Sequence, residues 1–446
     1  MREKTQEKLT KDQIHAVALL STGSLLEHFD RMLYVHAAIV LNELFFPKTD
    51  PLMRSFVTAF ALCSTYLLTP LGAVFFGYIG DTFGRKATIV TNSLLMAGCC
   101  ITVAFLPTYE QIGIAATIIL TLCRMIQGMS GLSEIIGVEI YLTESIKPPK
   151  QYPIVALVGV FQKFGSTCAL FIVAFFTNAK FLPPAIAKDS WRMAFLLGAL
   201  IGVIGAIARR SLKEASEFAD RQKFLKEQFK RADIKWSKSN PSINPKIPLS
   251  TSTAYFFAYC ASPISFYLVF IHCPEILRNT FDMTTAQIIN NNVLPATLNT
   301  LSSVAVALLS YKIAPLKILR VKLLMFLTCV ILFPIAINIW HTPKTILIFQ
   351  CFLVVFRFEY IPGAPIFLKY FPVLKRFRYA STLRALAVTL TYIITSFSLA
   401  IITKQFGNNG ILLVLLPIGA CFAWSLMHFE KKASQMSRQR VHSEIR

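Results

Sequence analysis

Apolar runs of about 20 residues recur along the chain between short polar breaks, which is the length an α-helix needs to cross a bilayer core. The runs predict spans at roughly Ile14–Leu44, Arg54–Ile79, Lys86–Leu106, Arg124–Glu144, Pro153–Asn178 and Trp191–Arg209. A second set follows at about Thr251–Cys273, Gln287–Ile313, Leu316–Ile339, Thr345–Tyr370, Tyr379–Lys404 and Gly410–Phe429. Between the sets lies the longest polar stretch, 213–248, where Lys and Arg alternate with Glu and Asp and the end is spaced by Pro241, Pro245 and Pro248. Its first part suits a charged surface helix and its proline-rich end an extended chain. The pattern predicts an all-α membrane protein of twelve transmembrane helices in two pseudo-symmetric six-helix bundles. The expected organisation is a cytoplasmic N-terminus 1–13, a first bundle 14–212, a cytoplasmic linker 213–248, a second bundle 249–430 and a basic cytoplasmic tail 431–446.

Polar residues inside two of these runs change the picture. A charge at the bilayer centre costs roughly 2.5–3.5 kcal/mol even on lenient insertion scales, so it normally faces a bundle interior or a watered cavity. In the fourth span Arg124, Gln127, Gly128, Gly131 and Glu134 share an arc of about 120° at helical spacing. The glycines there permit close approach of another helix or a ligand. The alternative is a buried ion-pair network that only fixes packing. In the first span Glu27, Asp30, Arg31 and Tyr34 share about 100°. Glu27 and Arg31 stand at i and i+4 in the favourable order, so they can pair locally and leave Asp30 as a candidate proton carrier. Lys163 in the fifth span is a further buried cation, or one that snorkels to the interface.

The break after the second span reads Gly77-Tyr78-Ile79-Gly80-Asp81-Thr82-Phe83-Gly84-Arg85-Lys86. It predicts a tight interhelical turn in which the glycines allow close approach, Asp81 caps the next helix, and Arg85 and Lys86 anchor at an anionic surface. Lys and Arg gather at the N-terminus, this turn, Lys147–Lys150, the linker, Lys312–Lys322, Lys369–Arg378 and the tail. By the positive-inside rule both termini and the linker are cytoplasmic.

Composition agrees: of 446 residues 54% are hydrophobic and only 15% charged. The net charge of +22 therefore reads as orientation, not as a nucleic-acid surface. Ten cysteines lie scattered through apolar runs without metal-ligand spacing, and the seven His are dispersed. No metal or cofactor is expected, and no convergent nucleophile and base argues for an enzyme.

Several stretches resemble a known family. The turn at Gly77, Asp81, Gly84, Arg85 and Lys86 is similar to the signature loop of the major facilitator superfamily. Leu26-Glu27-His28-Phe29-Asp30, Leu44-Phe45-Phe46-Pro47, the fourth-span set Arg124, Gln127, Gly128, Ser130 and Glu134, and the later Glu144 resemble its metabolite:proton symporter family. So do Trp191-Arg192 with Arg209 and Glu214, and Phe371-Pro372 with Arg376, Arg378 and Tyr379. The second half lacks a copy of the glycine and aspartate loop, and Lys369 stands where the family usually has glutamate.

The resemblance implies a major facilitator fold in a cell inner membrane and alternating access driven by protons. The solute is expected to be a small zwitterionic osmolyte or organic acid of the proline and betaine kind. Expected roles are proton coupling at Asp30, Glu27 and Glu134, substrate binding at Arg31, Tyr34, Arg124, Gln127 and Lys163, and gating at Gly77, Asp81, Gly84, Arg85 and Lys86. Partners are then a small solute, protons and the bilayer, with a monomer favoured. The alternatives are a paralogue that senses without transporting, and a carrier of dicarboxylates such as 2-oxoglutarate.

Overall fold

The computed structural model describes residues 8–46, 68–177, 190–215, 219–220, 223–224, 227 and 247–445. Most of the second span before residue 68, Cys63, and most of the linker lie outside the described residues. Among the described residues every regular element is helical. In chain order they are α1 (Lys11–Phe45), α2 (Thr69–Thr82), α3 (Arg85–Phe105), α4 (Ile114–Ser145), α5 (Gln151–Thr177) and α6 (Ser190–Arg209). Then come α7 (Leu249–Tyr267), which runs through a π turn (Leu268–His272) into α8 (Cys273–Phe281), α9 (Thr285–Lys312) and α10 (Pro315–Ile339). The chain continues with α11 (Pro343–Val355), α12 (Ala364–Leu368), α13 (Arg376–Phe406) and α14 (Gly410–Ile445).

Eight of the described helices are long and apolar enough to cross a membrane. On α10 the side chains of Val321, Leu324, Met325, Ile331, Leu332 and Ile335 are exposed, while Lys322 among them is buried. This inverts the soluble pattern and marks an apolar face made for lipid.

The chain divides into two compact units. The first is Met1–Pro245 with Phe371–Ala385, and the second is Lys246–Tyr370 with Leu386–Arg446. In the first, α1 packs along α5, α3 along α6 and α4, and α2 along α4. Its apolar core gathers Phe29, Leu33, Leu120, Phe45, Trp191 and Phe195. Phe45 and Phe195 each meet the Trp191 ring edge-on, at 5.5 and 6.0 Å between centroids. In the second unit α7 runs along α14, α9 along α11, and α10 against α14 and α11.

Four elements differ from the hydropathy reading, the first being α4, which starts at Ile114 and not near Arg124. The tenth span is not one helix: α11 stops at Val355, residues 356–363 are non-helical, and only α12 follows. Hydropathy does not register the break, because Phe356, Phe358, Tyr360 and Ile361 keep the run apolar. The seventh span continues to Phe281 through Pro263 and the π turn. Pro263 removes one backbone bond, and the π turn re-spaces those that follow. The twelfth span extends as helix through the tail to Ile445 instead of ending at Phe429.

Candidate functional site

The charged residues of the first span lie on α1, whose 35 residues extend about 52 Å at helical rise, well beyond a 30 Å hydrocarbon core. Glu27 is buried and bound on both oxygens: Oε1 accepts from Arg31 Nη2 and Oε2 meets His28 Nδ1 at 2.8 Å. Gly131 of α4 makes room for this group, since a Cβ there would lie 2.4 Å from Arg31 Nη2 and 2.6 Å from Glu27 Oε1. The glycine in the polar stripe of α4 thus admits the α1 ion pair.

Asp30, one turn on, is held differently. Its Oδ2 accepts from Cys100 Sγ of α3 at 2.6 Å, and its buried Oδ1 has no hydrogen-bond partner among the described residues. Gly198 of α6 leaves space for that oxygen, because a Cβ there would sit 2.8 Å from it. Cys100 also accepts from Gln127 Nε2 at 3.3 Å, and Gln127 Oε1 accepts from Arg124 Nη1 at 2.6 Å. Arg124, Gln127, Cys100 and Asp30 therefore form one buried polar chain across α4, α3 and α1.

Glu134 is the third carboxylate of the group. Its Oε1 accepts from Arg209 Nη1 of α6 at 2.5 Å, and the same nitrogen donates to Ser93 of α3. Arg209 is almost fully buried, and its guanidinium passes over Gly23 of α1, where any side chain would collide with it. The structure thus separates three expected proton-coupling residues. Glu27 and Glu134 are each bound by an arginine, while among the described residues Asp30 takes its hydrogen bond from a thiol. Tyr34 sits on α1 with its side chain outside the described part, and Lys163 is half-buried on α5.

The signature turn is built against the start of α13, within the same unit. Asp81 does not cap α3. Its Oδ1 and Oδ2 accept from the backbone amides of Phe377 and Arg378 at 3.2 and 3.0 Å, so it caps α13. The first amide of α3, Arg85 N, is instead taken by Glu214 Oε1 at 2.8 Å. The sequence signal failed because a cap requires only an oxygen near free amides, and tertiary packing supplied a nearer set. Gly84 has φ +109°, and a Cβ on it would lie 2.0 Å from Glu214 Oε2, so both backbone and contact demand glycine. Gly77 and Gly80 bring α2 onto Arg378 Cα and the Phe377 ring.

Arg85 is fully buried and uses its whole guanidinium. Nε and Nη2 grip Glu144 at 3.1 and 3.0 Å, Nη1 reaches Gly80 O and Asp81 Oδ1 at 2.7 and 2.8 Å, and Nη2 also reaches Val373 O at 2.7 Å. Glu144 Oε1 accepts from Arg376 Nη1 at 3.0 Å, Glu139 Oε2 from Arg384 Nη1 at 2.8 Å, and Ala73 O from Ser381 Oγ at 2.9 Å. Residues 371–385 are thereby latched to α2, α3 and α4. Arg209, Glu214, Glu139 and Arg384 complete these networks, and none stood among the expected site residues. Arg209 and Glu214 were visible only as family-like positions, and Glu139 carried a legible signal as another acid inside an apolar span.

The model of the Major Facilitator Superfamily matches residues 23–372. The chain belongs to the Major Facilitator Superfamily. It is a multi-pass membrane protein of a family of transporters. Among superfamily structures, the proton:xylose symporter XylE bound to 6-bromo-6-deoxy-D-glucose has the same fold at TM-score 0.76 and 12% identity, covering 94% of this chain and 95% of that one. FucP in the outward conformation has TM-score 0.64 and 14% identity over 94% and 99% of the two chains. A Haemophilus influenzae protein named for metabolite transport is 35% identical over 47% of this chain and 47% of its own. A Staphylococcus aureus protein named for proline/betaine transport is 34% identical over 45% and 43%. The glycine betaine/proline/ectoine/pipecolic acid transporter OusA of Dickeya dadantii is 27% identical over 59% and 53%. The chain spans about half the length of these curated relatives.

Proposed function

We propose that this superfamily member is a secondary active transporter that moves a small zwitterionic osmolyte or organic acid together with protons by alternating access. The observation that carries the reading is the state of Asp30: a buried carboxylate with one oxygen unpartnered and no arginine on it, beside two carboxylates that are each arginine-bound. A carboxylate that cycles between charged and neutral must not be locked to a cation, and Asp30 alone of the three meets that condition. Glu27 and Glu134 shape the surroundings, each held by an arginine, Arg31 and Arg209.

Arg124 and Gln127 are the candidate substrate contacts on α4, with Arg31, Tyr34 and Lys163 completing the set. The latch of Gly77, Asp81, Gly84, Arg85 and Lys86 is the gate. It holds residues 371–385 in one state and releases them in the other. The chain has twelve spans in two bundles, 14–212 and 249–430, with termini and the 213–248 linker in the cytoplasm. The names of the relatives from Staphylococcus aureus and Dickeya dadantii favour proline and betaine over dicarboxylates.

The test is uptake by proteoliposomes holding the purified protein, with labelled L-proline and glycine betaine and an imposed proton gradient. Gradient-dependent accumulation of either supports the reading. Binding without flux, in counterflow as well as in uptake, would replace it with a sensor.

A further inference from the structure

The second unit holds a buried charge cluster that belongs to none of the networks described above. Lys322 lies on α10, and Arg357 and Glu359 lie in the non-helical stretch between α11 and α12; each is less than a tenth exposed. Glu359 Oε1 accepts from Arg357 Nη2 at 3.0 Å, and Oε2 accepts from Lys322 Nζ at 3.2 Å. Two cations thus share one carboxylate.

Nothing else described in this unit offsets the second cation. Its sequence contains five acids: Glu275, Asp282, Glu359, Glu430 and Glu444. Glu275 and Asp282 are exposed, and Glu430 is taken by Arg320. Among the described residues Glu359 is the unit's only buried carboxylate. Arg357 Nε, moreover, is buried without a hydrogen-bond partner among the described residues. A buried cation in excess, with an unused donor, is unfavourable in an apolar interior unless an anion joins it.

The backbone around the cluster is firmly held. The Phe358 ring packs on Phe326 and Phe422 at 4.2 and 5.5 Å between centroids, and Tyr360 packs on Tyr259 at 4.3 Å. Ser265 Oγ donates to Phe358 O at 3.3 Å. Non-helical backbone inside a membrane segment is tolerated where protein buries it or where it lines a cavity, and interrupted spans in transporters mark binding sites. The break therefore presents Arg357 and Glu359 from a fixed position opposite Lys322.

We infer that Arg357 and Lys322 form a carboxylate-binding subsite, with Glu359 as the internal counter-ion that shares the two cations with the carboxylate of the transported solute. This rests on the transport reading only in taking the ligand to be a carboxylate-bearing solute. An arginine fork and an ammonium suit that group, because charge-assisted bonds from both to one carboxylate are short and strong.

The experiment is ligand-dependent thermal stability of the full-length protein in detergent, titrated with L-proline, glycine betaine and 2-oxoglutarate, and with L-prolinamide as the analogue lacking a carboxylate. Wild type is expected to be stabilised by at least one of the carboxylates and not by prolinamide. Arg357→Gln weakens that Kd by about tenfold or more, and Arg357→Lys recovers part of the loss. Glu359→Gln tightens it, because the competing carboxylate is gone. A purely structural triad gives the opposite for the last variant: Glu359→Gln lowers stability without tightening binding. That result, unchanged Kd in Arg357→Gln, or no carboxylate binding by wild type overturns the subsite. Proton-driven uptake is scored separately, so loss of the subsite with uptake intact leaves the transport reading standing, and loss of uptake with binding intact does the reverse.

Discussion

Glu144→Gln is the perturbation that probes the latch most sharply. The Glu144 side chain is fully buried and lies between two buried guanidiniums, Arg85 and Arg376, from which it accepts three hydrogen bonds at 3.0–3.1 Å. With Asp81 the described contacts join two negative and two positive charges. Glutamine removes one negative charge and sets an NH2 donor against the donor it replaces an acceptor for, so one cation is left uncompensated. Removing one partner of a buried ion pair costs about 3–5 kcal/mol. At about 1.4 kcal/mol per factor of ten, the equilibrium constant favouring the latched form falls between about a hundred and a few thousandfold. Hydrogen exchange reads this directly: amides of residues 376–385, including Phe377 and Arg378 on Asp81, should exchange at least about a hundredfold faster, while those of α5 stay at the wild-type rate. The double variant Glu144→Gln/Arg376→Gln restores charge balance and should exchange more slowly than the single one. Wild-type exchange over 376–385, or an equal rise in α5, would refute the reasoning, the first by showing no latch and the second by showing only general destabilisation.

Three further outcomes follow from the same contacts. Arg209→Gln strands Glu134 in an apolar interior and should lower stability by about 3–5 kcal/mol, read as a large fall in Tm, with Glu134→Gln/Arg209→Gln milder than Arg209→Gln alone. Gly84→Ala forces a left-handed φ on a side chain that also meets Glu214, so Tm should fall and Glu214→Ala should relieve part of the fall. The Asp12–Lys213 bridge is exposed, and the hydrogen bond from Lys213 holds the Asp12 carboxyl below its ordinary range. Its contribution is therefore present above that range and disappears as pH falls through the lowered value. Between pH 5 and 8 Asp12→Asn should match wild type to within about 1 °C in Tm.

What the sequence made legible, and what it hid, divides along the range of the interaction. The Glu27–Arg31 pair could be read from i, i+4 spacing, and Gly131 as a member of the polar stripe on α4, because both follow from the geometry of a single helix; that the two meet could not. The partner of Glu134 could not, since Arg209 lies 75 residues away and only packing brings it near. Asp81 was legible as a cap but not as the cap of α13, for amides 296 residues distant compete on equal terms with the next helix. The break after Val355 escaped because hydropathy averages side chains and is blind to where the backbone stops being helical. The charge cluster within that break was hidden for the same reason: Arg357 and Glu359 sit two apart, which on a helix would point them to different faces.

The measurement closest to the central claim is uphill uptake by Asp30→Asn in proteoliposomes, compared with wild type under the same proton gradient. The account predicts that accumulation is abolished while substrate counterflow partly survives, because binding and gating remain and only the proton carrier is gone. Accumulation at the wild-type level would contradict it and remove Asp30 from the coupling step.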